Sequence, residues 1–221
     1  PIRVMSVESA ELTKVAYNLH VSMKIVMANT VMEICHKTGA DCDDVTDALA
    51  SATTRITSGA YMRGGMGDGG GCHPRDAIAL SWFAERLQLA ADPFEFITRS
   101  RETQTDWLAS LACGYAELAG LPIVILGKAY KPESDLVTGS PALLLAEQIR
   151  ARGTKAQHWD PHVDAEPSSY ISGRDRAVFV VGTKHPDFQT EAYAHGSIVL
   201  DPFGYIPDRA GVTVIRIGRK S

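Results

Sequence analysis

The residue pattern changes at about Gly120, and this change constrains the fold more than any other feature of the sequence. Before it, apolar residues recur at helical spacing, as they do along one face of an α-helix. After it, short apolar runs such as "LPIVILG" and "RAVFVVGT" alternate with helical and turn segments, which is typical of buried parallel strands. We therefore predict an α/β protein with an all-helical domain over residues 1–119 and a parallel-sheet domain over residues 120–221.

The first predicted helix is unusually long. Apolar residues keep helical spacing from about residue 8 to residue 37, and neither proline nor glycine interrupts them before Gly39. About 30 helical residues extend over roughly 45 Å, which is more than a small domain usually covers. We therefore expect this helix to pack against a second subunit. Further helices are predicted in "ADCDDVTDALAS", "DAIALSWFAERLQL", "DPFEFITRSRETQTDWLASLACGYAEL" and "SPALLLAEQIRARG".

Composition narrows the class of protein. The formal net charge of −4 and the 45% hydrophobic residues are ordinary for a globular protein. A basic excess is missing, which argues against nucleic-acid and membrane-surface partners, and no run of about 18 apolar residues predicts a membrane span. The four cysteines are too few for a disulfide scaffold and lack the spacing of a zinc site. We therefore expect a cytoplasmic protein without a bound metal.

The predicted strands place several polar segments at one edge of the sheet. Five strands are expected in "LPIVILG", "KAQHWDP", "RAVFVVGT", "GSIVLDP" and "VTVIRIG". Parallel sheets bind ligands beyond the carboxyl ends of their strands. That rim would carry "GKAYKPESD", "WDPH", "GTKHPDF" and "DPFGY". Lys131 on this rim and Arg55 in "TTRITSGAYM" would suit the phosphates of a nucleotide. The alternative is that each is an ordinary basic side chain in solvent.

Six of the eight residues from 64 to 71 are glycine, which leaves backbone open to a ligand. Gly65, Gly67 and Gly70 formally match the dinucleotide fingerprint, but that fingerprint requires a preceding strand, and "TSGAYMR" is a poor one. The turn after "IVILG" holds a single glycine. Neither segment is therefore predicted to bind the phosphates of a nicotinamide cofactor.

Cys72 ends the glycine run and precedes a predicted helix. A helix N-terminus favours the nucleophilic thiolate, although most free cysteines are buried fillers. Asp76 lies one helical turn further on and is a candidate base or helix cap, whereas His73 is more easily explained as structural. Lys14 and Asn18 share one face of the long helix, either as a polar pair in a site or with the lysine reaching solvent.

Five segments together resemble the UDP-glucose/GDP-mannose dehydrogenase family: "AELTKVAYN", "RITSGAYMRGGMGDGGGCHPRD", "ILGKAYKPESDLVTGSP", "WDP" and "GTKHPDF". They follow the order and spacing of the family over essentially the whole chain. The resemblance implies an NAD-dependent enzyme that oxidises the C6 alcohol of a nucleotide sugar such as UDP-glucose twice, to the uronate. It also implies a central helical dimerisation domain followed by a Rossmann-like C-terminal domain for the nucleotide.

The resemblance also implies roles for single residues. Cys72 would form a thiohemiacetal with the C6 aldehyde and then a thioester, and Asp76 would help to activate the hydrolytic water. Lys14 and Asn18 would stabilise the oxyanion. Substrate-binding roles are implied for Arg55, which would reach the site of the neighbouring subunit, and for Tyr61, Gly65, Gly67, Gly70 and Lys131. Thr138 stands where the family often has arginine, and Asp68 where it has an aromatic residue.

The N-terminal NAD domain of the family has no counterpart in these residues. We therefore expect NAD to be bound mainly by a domain absent from this chain, either joined to it or supplied as a separate chain. The expected partners are a nucleotide sugar and a second copy, which would pack against the helix of residues 8–37. A non-catalytic nucleotide-sugar-binding or dimerisation module is the alternative function, and a cysteine hydrolase that uses Cys72 and His73 is a weaker one.

Overall fold

The computed structural model of the chain describes residues 2–58, 64–66, 72–166, 168 and 170–219. The chain divides into two compact units. The first contains Pro1–Tyr61 and Ala79–Phe94, and the second contains Met62–Ile78 and Glu95–Ser221. Long helices precede a mixture of strands and one helix along the chain, which confirms the predicted α/β class.

The long N-terminal helix is confirmed: α1 spans Val7–Thr38. It begins where the Ser6 hydroxyl accepts a hydrogen bond from the backbone N–H of Ser9, and it ends at Gly39. The φ angle of Gly39 is 79°, a left-handed conformation that glycine adopts without steric cost. Helix α2 spans Cys42–Ala50, and the Asp41 carboxylate caps its N-terminus as the acidic sequence predicts.

Two further helices follow, as predicted. Helix α3 spans Cys72–Leu87 and α4 spans Pro93–Ala119. Within the first unit, the Lys37 side chain of α1 holds the end of α3, because its Nζ donates to the carbonyls of Leu87 at 2.8 Å and Gln88 at 2.6 Å. A cation is favourable at that position, since the carbonyl groups of the last helical turn lack partners within the helix.

The second unit contains a five-stranded sheet, and all five strands are those that the sequence predicts. The strands and the helix between them are β1 (Ile123–Leu126), α5 (Pro141–Ala151), β2 (Ala156–Trp159), β3 (Val178–Val181), β4 (Ile198–Asp201) and β5 (Thr213–Arg216). The strand order is β2-β1-β3-β4-β5, and every pair is parallel. A short 3₁₀ helix, Pro186–Gln189, follows β3 and is not foreseen by the sequence pattern. Ser140 caps α5 as expected.

Both faces of the sheet are buried. One face packs against α4 and α5, and the α4 residues Ala109, Ala112 and Ala116 are buried in the core on that face. The other face is covered by the segments that connect the later strands, including the 3₁₀ helix. Because α4 packs on this sheet, the second compact unit starts before residue 120. The division into domains at residues 119 and 120 follows the change in sequence pattern and stays a prediction.

None of the helices in the described ranges has both the length and the apolar character needed to cross a membrane.

Candidate active site

The carboxyl ends of the strands form the rim of the second unit, where parallel sheets bind their ligands. The strand order reverses direction between β1 and β3, which makes the loops after these two strands the favoured position. Lys131 lies in the loop after β1 and is exposed, with its Nζ 5.7 Å from the centroid of the Tyr130 ring. Lys184, after β3, lies 5.4 Å from the ring of Tyr205 in the same way. The rim therefore presents cations beside aromatic rings.

The turn after β1 is already occupied by a carboxylate of the protein. Asp160, at the end of β2, is fully buried, and its Oδ2 accepts hydrogen bonds from the backbone N–H groups of Lys128 at 2.6 Å and Ala129 at 2.9 Å. In dinucleotide-binding folds, such N–H groups hold the pyrophosphate. A side chain on Gly127 would collide with Thr183, so the turn is also closely packed. This turn does not fit NAD.

Asp160 is held as an anion by its neighbours. Burial raises the pKa of the Asp160 carboxyl, but hydrogen bonds from His185 and from the N–H groups of Ala129, Lys128 and His162 outweigh burial and lower the pKa below its ordinary value. The Nε2 of His185 lies 3.1 Å from Asp160 Oδ2, and both side chains are fully buried. The pair joins the loops after β2 and β3.

His162, His185 and Asp187 form a cluster with the composition of a metal site, because their ligand atoms lie within 4.8 Å of one another. Both ring nitrogens of His185 are already committed: Nε2 to Asp160 and Nδ1 to the backbone N–H of Glu133 at 3.1 Å. His162 Nε2 lies 3.3 Å from Asp187 Oδ2. This cluster is therefore a hydrogen-bonded network, and its donor set does not fit a metal ion.

The described part of the glycine run, residues 64–66, borders a cavity of about 390 Å³ in the second unit. Phe203 lies against Gly65 so closely that a Cβ on this glycine would be 2.9 Å from the ring. Arg219 also lines the cavity, but its guanidinium donates to the carbonyls of Gly64, Pro202 and Ile217. The Arg219 guanidinium therefore joins these three backbone segments by hydrogen bonds. Tyr61, Gly67 and Gly70, predicted to bind substrate, lie outside the described residues.

The predicted catalytic residues are distributed over both units. Cys72 is the first residue of α3, but its side chain and that of Asn18 lie outside the described part of the chain. Asp76 is on α3 and pairs with its neighbour Arg75, with 2.9 Å between the guanidinium and Oδ1. Its side chain is 62% exposed, and it lies within the helix, not at the N-cap. Lys14 is exposed on α1 in the first unit and borders a shallow, open pocket near the N-terminus.

Arg55 lies in the turns that follow α2 and is exposed in the first unit. Sequence reasoning placed Asp160 and His185 on the rim but assigned neither of them a role. The signal was present, since Asp160 directly follows one predicted strand and His185 lies just beyond the next. The loops after β2 and β3 meet at the carboxyl edge of the sheet, beyond the end of β1, which lies between these two strands.

The fold and the rim define an α/β protein with a Rossmann-like parallel sheet that follows long helices. Residues 8–103 match the profile of the UDP-glucose/GDP-mannose dehydrogenase family, central domain. The UDP-glucose 6-dehydrogenase TuaD of Bacillus subtilis is 30% identical over 172 residues, which are 77% of this chain and 37% of that protein. The GDP-mannose 6-dehydrogenase of Azotobacter vinelandii is 26% identical over 95% of this chain and 53% of that protein.

Solved structures of nucleotide-sugar dehydrogenases share the fold of this chain. The GDP-mannose dehydrogenase of Pseudomonas aeruginosa superimposes with a TM-score of 0.74 at 23% identity, over 95% of this chain and 53% of that one. The UDP-D-ManNAc dehydrogenase of Pyrococcus horikoshii does so with a TM-score of 0.59 at 25% identity, over 96% of this chain and 52% of that one. The chain belongs to the UDP-glucose/GDP-mannose dehydrogenase family. It spans between about a third and about half of the length of these relatives.

Proposed function

We propose that this chain is the part of an NAD-dependent nucleotide-sugar 6-dehydrogenase that binds the nucleotide sugar and carries the nucleophile. The match of residues 8–103 to the central domain supports this most directly, because that range contains the glycine run and Cys72. The names of the relatives include UDP-glucose, GDP-mannose and UDP-ManNAc. The proposed substrate is therefore a nucleotide sugar of the UDP-glucose kind, oxidised at C6 to the uronate in a cytoplasmic enzyme.

In the proposed mechanism, the Cys72 thiolate adds to the C6 aldehyde and forms a thiohemiacetal. This addition is needed because an aldehyde cannot release a hydride until a nucleophile has made its carbon tetrahedral. Oxidation then gives a thioester, which water hydrolyses to the uronate and the free thiol. The position of Cys72 at the start of α3 supports the role, because a helix N-terminus stabilises negative charge.

The remaining roles follow the family resemblance. Lys14 and Asn18 are proposed to stabilise the oxyanion of the tetrahedral intermediate, and Asp76 to orient the hydrolytic water. For Asp76 the role requires a change of partner, because its carboxylate now pairs with Arg75. Substrate binding is proposed for Arg55, Tyr61, Gly65, Gly67, Gly70 and Lys131, with Lys131 at the favoured end of the sheet.

The cofactor is proposed to be NAD, which supplies the hydride acceptor when it is bound by a domain outside these residues. The turn after β1 in this chain does not fit it, because Asp160 occupies the N–H groups of Lys128 and Ala129. No step of the proposed chemistry of Cys72 therefore depends on a cofactor site in the described sheet.

A homodimer that packs through α1 is also part of the proposal. Several large apolar side chains of this helix are well exposed, among them Leu12, Tyr17, Met23 and Met32. A helix of 32 residues with such a surface needs a second apolar surface to cover it.

Calorimetric titration of the native protein with UDP-glucose, UDP-glucuronate, GDP-mannose and NAD+ tests the proposal. We expect one nucleotide sugar to bind in the absence of NAD+, which would also identify the base. Binding of a nucleotide sugar without any turnover in the presence of NAD+ would favour a non-catalytic binding module. Failure of all three nucleotide sugars to bind would refute the proposal.

Cys72→Ser in the native protein tests the covalent step. We expect uronate formation to fall by at least about a thousandfold, because a serine hydroxyl is a far weaker nucleophile at neutral pH. Nucleotide-sugar affinity is expected to stay within about twofold, since the thiol contributes little to ground-state binding. Cys113→Ser, in the second unit and partly buried, is the matched control and should leave turnover unchanged. Wild-type uronate output from Cys72→Ser would exclude the covalent role.

A further inference from the structure

His185 is the centre of a hydrogen-bond network that joins four loops of the rim. It is fully buried in the loop after β3. The backbone N–H of Glu133, in the loop after β1, points at Nδ1 from 3.1 Å, and Asp160, after β2, lies 3.1 Å from Nε2. The carbonyl oxygen of the same histidine accepts from the hydroxyl of Tyr205, after β4, at 2.9 Å.

The partners determine the protonation of the ring. A backbone N–H can only donate, so Nδ1 of His185 must accept the bond from Glu133 and carry no proton. Nε2 then carries the proton and donates to Asp160, which the surrounding N–H groups keep anionic. The histidine is therefore neutral, in a single tautomer, and each nitrogen performs a different task.

The bond from Glu133 acts on the loop that carries Lys131. Glu133 has a φ of 53°, a left-handed conformation that a residue with a side chain adopts only at some cost. The same loop is closed by a hydrogen bond from Tyr130 N–H to the Leu136 carbonyl at 3.0 Å. The start of the loop is fixed separately, by the bonds of Lys128 and Ala129 to Asp160. The His185 side chain thus holds the strained middle of this loop at Glu133.

We propose that His185 is a positioning residue, which sets the conformation of residues 130–136 through its Nδ1 and thereby places Lys131 for the phosphates of the substrate. The part that concerns the substrate rests on the proposed function, whereas the part that concerns the loop does not. His185 does not contact the substrate in this proposal. Its effect is transmitted by the backbone of Glu133 to Lys131, two residues away.

Two amide variants separate the two tasks of the ring. In His185→Asn, the shorter side chain offers an oxygen near the position of Nδ1, so it can still accept from Glu133 but cannot reach Asp160. In His185→Gln, the longer side chain offers an N–H near the position of Nε2, so it can still donate to Asp160 but no longer accepts from Glu133. Each variant loses one hydrogen bond, so their losses of thermal stability should be similar.

Amide hydrogen exchange of the native protein is the first measurement, because it requires no activity. Residues 130–136 are expected to lose protection in His185→Gln and to keep it in His185→Asn. Equal loss in both variants, or protection in both, would overturn the positioning role. If the wild type neither binds nor oxidises a nucleotide sugar, the proposed function fails, and this comparison still decides whether His185 orders the loop.

Kinetics are the second measurement. We expect His185→Gln to raise the KM for the nucleotide sugar roughly three- to tenfold, the effect of about one hydrogen bond, with kcat within about twofold. His185→Asn should keep the KM of the wild type, because it retains the acceptor for the Glu133 N–H. In the double variant with Lys131→Ala, His185→Gln should add nothing further, because its effect passes through Lys131. A KM that rises equally in both amide variants, or additively in the double variant, would contradict the proposal.

Discussion

The two compact units differ in how far they bury their own apolar side chains. In the described part of the first unit, the buried residues are Thr30, Cys35, Ala84 and Phe94. In the second unit, both faces of the sheet are covered by apolar clusters, and strands β1 and β3 are buried along their whole length. The sheet unit therefore contains its own core, whereas the helical unit leaves apolar surface for another surface to cover.

This difference explains why the apolar runs of the strands and the apolar spacing of the helices do not predict burial in the same way. The central strands β1 and β3 are apolar throughout because both of their faces are covered from within the same unit. The helices of the first unit are apolar on faces that the chain itself covers only in part: Leu12 is 70% exposed and Trp82 is 58% exposed. A helical apolar pattern thus predicts burial, but it does not tell whether the covering surface belongs to the same chain.

Removing a large side chain from the sheet core should have the largest effect on stability. Phe179 in β3 is fully buried and packs edge-on against Tyr193, with ring centroids 4.9 Å apart. Phe179→Ala is expected to lower the free energy of unfolding by about 3–5 kcal/mol, because it removes buried contacts and leaves a cavity. Leu12→Ala on α1 is the control, with an expected loss below about 0.5 kcal/mol in the monomer. Urea denaturation measures both, and similar losses would refute the contrast between the units.

Replacing the buried Asp160 carboxylate of the sheet unit should have the second largest effect on stability. Asp160→Asn is expected to cost about 3 kcal/mol, because the neutral amide turns a donor toward backbone N–H groups that need an acceptor. Asp208→Asn is the control: its partner is Arg216, its side chain is 87% exposed, and the expected loss is below about 1 kcal/mol. Urea denaturation at neutral pH compares the two variants.

The Asp160 carboxylate should also make the free energy of unfolding depend on pH in the acid range. The folded pKa of Asp160 is below its ordinary value of 3.8, so its contribution is fully present above that value and is lost as the pH falls toward the folded pKa. In Asp160→Asn, the part of the decline below about pH 4 that comes from this group should be missing. Unfolding free energies from pH 2 to pH 7 measure this, and an unchanged acid decline in the variant would contradict the assignment.

Introducing a charge on the exposed apolar side of α1 should have the smallest effect of these changes. The effect is expected on dimer association and not on the stability of the monomer. Met23→Glu and Met32→Glu are each expected to weaken the proposed dimer by about tenfold or more, since a carboxylate is costly in a covered apolar surface. Both side chains are about half exposed in the single chain, so monomer stability should hardly change. Leu118→Glu in the second unit, at a position 87% exposed, is the control. Sedimentation velocity over a range of concentrations measures the change, and unaltered association in both methionine variants would exclude α1 as the dimer surface.

Local chemistry made the helices and strands predictable. Ser6 and Gly39 mark the two ends of α1, Asp41 the start of α2 and Ser140 the start of α5, because each supplies a capping group or a left-handed turn within a few residues of the helix it bounds. The strands were equally clear, since a short run of apolar residues between turns can be buried on both faces only in a covered sheet. The family could be recognised for a related reason, because its motifs are continuous in the sequence.

The arrangement of the candidate site was less predictable. Lys131 and Cys72 could be proposed from the sequence because they lie in distinctive segments, whereas the network of Glu133, Asp160 and His185 joins residues up to 52 positions apart. Each of the three looks like an ordinary loop residue on its own. The strand order brings their loops to one edge, and the sequence pattern does not contain that order.

The class of fold, the helix and strand positions and the family could all be predicted from the residues, because they depend on short-range periodicity, caps and contiguous motifs. Three further features depend on the folded arrangement: α4 packs on the sheet, Asp160 fills the turn where a dinucleotide fold binds phosphate, and both ring nitrogens of His185 are hydrogen-bonded. Each of these outcomes depends on the distance between side chains far apart in the chain. Such distances follow from the packing and order of the strands, which local propensities leave open.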